Sequence, residues 1–139
     1  MSVPMSKRGE NKFEVFIEAR DLAVYTATIC TNTGIFPGRF RAITNEIIGT
    51  AWSVARDVWT ANGIYVGRGC APDAYSKRVD IEARAISECR ELLFQQDMCY
   101  GLFPKSRKKL STWAGKTAHV KELITRWREA ERKHLAPRD

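Results

Sequence analysis

The stretch Leu110-Ser111-Thr112-Trp113-Ala114-Gly115-Lys116-Thr117-Ala118-His119-Val120-Lys121-Glu122-Leu123-Ile124-Thr125-Arg126-Trp127 carries the clearest pattern in the chain. Leu110, Trp113, Thr117, Val120, Ile124 and Trp127 recur at spacings of three, four, three, four and three. An α-helix turns once in about 3.6 residues, so these six side chains share one face. Alternation of period two, the mark of a half-buried strand, is absent. A seam of this regularity needs partner helices to bury it. Trp113 and Trp127 lie on the seam and are expected in a core.

Working outward, Phe103-Pro104 breaks the chain before this helix and Ser106 is a candidate cap, which predicts a helix over 106–134. Residues 135–139 contain Pro137 and are expected to fray. Upstream, Tyr75, Val79, Ile86, Cys89, Leu93 and Tyr100 line one face of a helix over 74–100, and Leu92 widens it. Asp73 is its candidate N-cap and Gly101 its candidate C-cap. Gly67 to Asp73 is dense in glycine and proline and reads as a loop. Before it, Phe40, Ile43, Ile47, Val54, Val58, Ala61 and Tyr65 form the seam of a helix over 38–64. A first helix is expected over 12–30, with Val15, Ala19, Leu22 and Ile29 on its face, preceded by a flexible tail at 1–11. The expected fold is a single all-α domain, an up-down four-helix bundle within 139 residues.

The helix over 38–64 has a second apolar stripe: Ile48, Trp52, Ala55 and Trp59. Its face is then wider than a surface helix needs, so the stripe is a candidate oligomer interface.

Charge is segregated. The chain has 23 basic and 16 acidic residues, a net charge of +7, and residues 1–104 balance to zero. The whole excess therefore falls at 105–139. Such a segment suggests an acidic partner such as nucleic acid, or else a solvated helix face. Lys105, Arg107, Lys108 and Lys109 crowd a helix N-terminus, where cations oppose the macrodipole. Lys116, Lys121, Arg126, Arg128, Arg132 and Lys133 extend the positive surface. Arg39 and Arg41 open the second helix, Arg68 sits at the loop tip, and Lys77, Arg78 and Arg84 lie on the third helix. These sixteen cations are the charge-based candidates for a nucleic-acid or protein partner.

Other chemistries lack their residues. Cys30, Cys70, Cys89 and Cys99 form no CxxC pair, and with only His119 and His134 no zinc spacing arises. All four cysteines are expected reduced. His134 follows Glu131 at i−3, but a di-iron bundle needs such a pair on each of two helices and His119 follows Lys116, so the full ligand set is missing. Gly67-Arg68-Gly69 is half of a phosphate loop without its strand and reads as a turn. Asp80, Glu82, Glu88 and Glu91 are expected on a solvated face, paired with Arg84 and Arg90. We expect no catalytic residue, no metal and no cofactor. No apolar run reaches the length of a membrane span and no secretory signal is legible, so a cytoplasmic protein without a membrane partner is expected.

Several short motifs point to a family. Phe36-Pro37 precedes the second helix, Ala61-Asn62-x-Ile64-Tyr65 ends it, Phe103-Pro104-x-Ser106 precedes the fourth, and Trp113 and Trp127 pair on the fourth. Over about residues 10–130 the chain resembles the Avd-like four-helix bundles. These are accessory variability determinants of diversity-generating retroelements, in a superfamily shared with proteins of ribosomal-RNA intervening sequences. The resemblance implies a bacterial or phage-encoded protein that assembles as a homopentameric barrel. It implies a reverse transcriptase and a structured template RNA as partners, in a complex that makes mutagenized cDNA, and no catalytic residues of its own. Gly38 departs from the family, where a basic residue often follows the proline, and the loop from Gly67 to Asp73 is long for it. The competing expectation is a structural or protein-interaction bundle, or an intervening-sequence protein, with no polymerase partner.

Overall fold

The computed structural model describes residues 3–135, with side chains described from Phe13 onward. Four helices follow one another: α1 (Val3–Cys30), α2 (Arg41–Asn62), α3 (Ala74–Leu102) and α4 (Arg107–Arg132). Each packs on its neighbour in sequence, and α4 returns to pack on α1, closing a four-helix bundle. Among the described residues there is no strand, and no helix is long and apolar enough to cross a membrane. The connectors 31–40 and 103–106 lie at one end of the bundle and the loop 63–73 at the other, as the alternating course of the helices requires.

The α4 seam is buried as its spacing predicts. Leu110, Trp113, Thr117, Val120, Ile124 and Trp127 are all inside. Val15, Ala19, Leu22 and Ile29 of α1 meet them, as do Ile47, Val54, Val58 and Ala61 of α2. Near the 31–40 connector the core is aromatic. Phe36 meets Phe103 edge-on at 5.0 Å between centroids and Trp113 at 6.2 Å, and Phe40 meets Phe103 at 5.0 Å. Edge-to-face contacts place the positive ring edge on the negative ring face.

Polar groups enter this core in pairs. The Trp113 indole N–H donates to Thr26 Oγ1 at 2.9 Å, Gln96 Nε2 to Thr117 Oγ1 at 2.7 Å, and Gln95 Nε2 to Thr50 Oγ1 at 3.0 Å. Each bond satisfies a donor that burial would otherwise strand. Cys30, Cys89 and Cys99 are buried free thiols, and burial pushes them up to about 12, 12 and 11. They act as small apolar side chains.

Boundaries and faces differ from expectation in places. α1 begins at Val3 rather than near Lys12. Pro4 does not prevent this, because proline is tolerated in the first helical turn. A 3-10 turn, Gly38–Phe40, precedes α2. Gly101 does not cap α3, which continues to Leu102. Pro104 sets that limit, since the residue before proline is held out of the helical region, and Phe103 sits at φ −126°, ψ 69°. Neither Asp73 nor Ser106 makes a side-chain capping bond. Asp73 instead pairs with Lys77 at 3.3 Å, one turn along. Ile43, Tyr65 and Tyr100, assigned to seams, are exposed. The true α3 face runs through Arg78, Glu82, Ala85, Cys89, Leu92, Gln96 and Cys99, so hydrophobic matching rotated it toward its flank. Leu135 closes the 3-10 turn after α4, and the rest of the tail expected to fray lies outside the described residues.

Replacing Trp113 tests the core. Trp113→Ala should cost about 3–5 kcal/mol in denaturant unfolding, from lost contact and residual cavity. Trp113→Phe keeps a ring and loses the Thr26 bond, so it should cost less than the alanine variant. Equal losses would show that the Thr26 bond, which both variants remove, carries the cost and that ring volume adds nothing.

Candidate functional site

The sixteen candidate cations divide by location. At the loop 63–73 end most are already engaged. Arg78 is buried, its guanidinium paired with Glu131 of α4 and lying 3.8 Å from Glu82, while Nη1 donates to Ile64 O at 3.1 Å. It also stacks over Trp127, 5.1 Å from the ring centre. Arg78 is therefore a core clamp and is withdrawn from the surface list. It is one place where hydrophobic periodicity misleads, because the seam position is filled by a charge. Arg128 donates from Nε to Val79 O at 3.0 Å. Lys77 pairs with Asp73, Arg126 with Glu122 and Arg132 with Glu129. Arg84 makes two bonds to the buried Asp57, at 3.1 and 2.9 Å. Arg68 is exposed at the loop tip beside Gly69, whose φ of +80° suits glycine. There the Tyr65 hydroxyl donates to Arg68 O at 2.8 Å. Lys133 is exposed, Lys121 is half-buried, and Lys116 lies 4.9 Å from the centre of the Tyr25 ring.

The opposite end of the bundle is different. Arg39, Arg41, Lys105, Arg107, Lys108 and Lys109 are all exposed there. No acidic residue occurs in 31–45 or in 98–121. Among the described residues none of the six makes an ion pair. Arg39 and Arg107 lie over the rings of Phe40 and Tyr100, and Arg107 Nε donates to Tyr100 O at 3.0 Å. The N-termini of α2 and α4 both open here, adding the positive ends of two helix dipoles. Two polar clefts flank the cluster. One, of about 360 Å³, runs from Asn32 and Gly34 to Lys105, Ser106, Lys108 and Lys109. The other, of about 330 Å³, includes Thr31, Thr33, Arg41 and Asn45. Asn32, Thr33 and Asn45 are site residues that charge counting overlooked. They carry no charge, and only the fold brings 31–45 beside 105–109.

The second stripe of α2 is open. Trp52 and Trp59 are 55% and 65% exposed, while Ile48 and Ala55 are half-buried. Trp52, Ala55 and Trp59 form one wall of an apolar groove of about 500 Å³. Phe16, Ala23 and Val24 of α1 form the other, and Phe16 meets Trp59 at 5.2 Å. Arg20 and Arg56 stand at the rim. The α1 residues escaped notice because they lie off its main seam.

Of the α3 carboxylates expected on a solvated face, Asp80 and Glu91 are exposed, but the other two are not. Glu82 is buried and Glu88 half-buried. Burial, reinforced by the neighbouring charge of Glu131, pushes Glu82 up to about 9 against the pull of Arg78 and Arg128. Burial, with a hydrogen bond to Asp57, pushes Glu88 up to about 8. Each carboxyl thus shares a site with a second one. Compared with known proteins, the chain matches no protein-family model, no curated protein and no solved structure.

Both raised carboxyls bind protons more tightly in the folded chain than at the ordinary value of 4.5. Their contribution to stability is full below that value and is lost as pH rises toward about 8 to 9. Denaturant midpoints should therefore fall between about pH 5 and about pH 9, and Glu82→Gln should flatten the upper part of that decline. A midpoint that rises over this interval would contradict the assignment. Arg78→Ala should cost about 3–5 kcal/mol, because it strands two carboxyl groups at a buried site.

Proposed function

We propose that this protein is a non-catalytic accessory subunit of a diversity-generating retroelement. It binds a reverse transcriptase and structured template RNA, supports mutagenic cDNA synthesis, and works as a homo-oligomer in the cytoplasm. The observation that carries the RNA part is the acid-free bundle end, where Arg39, Arg41, Lys105, Arg107, Lys108 and Lys109 are exposed without ion pairs. Six like charges near two helix N-termini repel one another, and a polyanion relieves that repulsion. Phosphates are the fitting ligand, since counterion release rewards a cluster of this kind. The groove at Trp52 and Trp59 supports self-association, because a solvated apolar trough of this size is costly to leave open. The retroelement assignment itself draws on the motif resemblance, including Phe36-Pro37 and Phe103-Pro104-x-Ser106. A homopentameric ring belongs to the same reading.

The test is co-purification with any reverse transcriptase encoded beside the gene, then sequencing of the RNA that elutes. One defined template RNA should be recovered and lost as salt rises. Lys105→Glu/Lys108→Glu/Lys109→Glu should weaken RNA binding at least about tenfold near 100 mM salt and lower the salt slope. Lys77→Glu/Arg126→Glu/Arg132→Glu, at the ion-paired end, should change it less. Salt-independent binding, or equal effects of the two variants, would refute the assignment to this end. Recovery of neither RNA nor polymerase would leave a protein-interaction bundle.

A further inference from the structure

The groove between α1 and α2 is not the only exposed apolar surface. On α3, Phe94 (61% exposed), Met98 and Leu102 follow one another at spacings of four, forming a convex ridge. The ridge leans toward α2. It shares a side of α3 with Gln95, which bonds Thr50 of α2. The two surfaces differ in shape and charge. The groove is a trough with two indoles seven residues apart, roughly 10 Å along the helix at 1.5 Å per residue. Such a gap admits one aromatic side chain. Arg56 at its rim makes no ion pair among the described residues, although its charge acts on Glu88, and Arg20 reaches only the adjacent, exposed Asp21. The ridge carries exposed Glu91 and Asp97 on either side of Phe94, with Arg90 beyond, and among the described residues neither acid is ion-paired.

We infer that the occupant of the groove is the α3 ridge of a second copy of this chain. Phe94 and Met98 of one copy seat between Trp52 and Trp59 of the next, and Glu91 and Asp97 face Arg56 and Arg20. This rests on the self-association proposed above and adds which face meets which. A head-to-tail contact of this kind leaves one ridge and one groove open in a pair, so assembly continues beyond the dimer.

Native mass spectrometry with light scattering tests this on the full chain. The wild type should assemble beyond a dimer. Phe94→Glu and Trp59→Glu should each reduce it to the mass of one chain. Both sites are solvent-exposed, and unchanged circular dichroism will verify that the variants fold. Mixed together, the two variants should form a capped pair of two chains, because one keeps its groove and the other its ridge. Glu91→Arg should weaken assembly, and adding Arg56→Glu in the same chain should restore it. If Phe94→Glu assembles like the wild type, the ridge is not the occupant, while self-association stands. If the two monomeric variants do not pair on mixing, unlike-face contact is wrong. A monomeric wild type at micromolar concentration removes self-association itself and this pairing with it.

Discussion

A buried indole N–H must find an acceptor, and in this bundle the acceptor is Thr26. The bond joins α4 to α1, the pair of neighbouring helices with the least extensive mutual packing. Apolar side chains alone tolerate sliding, because burial is non-directional. A 2.9 Å bond does not tolerate it. The ring then sets the position of Phe36, which sets Phe103, which meets Phe40. That aromatic sequence ties both connectors at one end of the bundle to its core. The basic cluster and its two clefts stand on those connectors. The register of α1 against α4 is thus also the register of the candidate site.

The two ends of the molecule treat charge in opposite ways. Near the loop 63–73, cations are consumed by structure. Arg78 gathers Glu82, Glu131 and the carbonyl of Ile64, and Arg128 takes the carbonyl of Val79. These contacts fasten the loop, α3 and α4 together, and their protonation couples stability to pH. Near the connectors, cations make no ion pair among the described residues. A count of charges along the chain gives both ends the same sign, but only one end leaves its cations without ion pairs among the described residues. The exposed ion pairs Arg126–Glu122 and Arg132–Glu129 are worth little to stability, yet they lower the field offered to a polyanion.

The apolar surfaces add a second constraint. Trp52 and Trp59 stay in water while smaller residues such as Ala51 and Val54 fill the core. Alanine at Ala51 and Ala61 lets α2 approach its neighbours closely, which leaves no room for indoles on that side. Large aromatic groups placed outside a full core are what the proposed self-association rests on. The two indoles lie on a different face from the basic end.

The sequence by itself determined the fold class. Spacings of three and four in all four segments, with prolines at 37, 72 and 104 as stops, leave an all-α bundle as the consistent solution. The α4 seam was legible to the residue, because each of its positions is apolar or a threonine. The α3 face was not, because Arg78, Glu82 and Gln96 occupy core positions, and a hydrophobic pattern cannot recognise a polar group that finds its partner on another helix. The excess of positive charge was also legible, and so was the second stripe of α2. Which cations are free was decided by the tertiary structure alone. Ion pairing depends on distance in space, and Arg78 and Glu131 are more than fifty positions apart in the chain. The same holds for the groove, whose second wall comes from α1. Its residues acquire meaning only when packing sets them against Trp52 and Trp59.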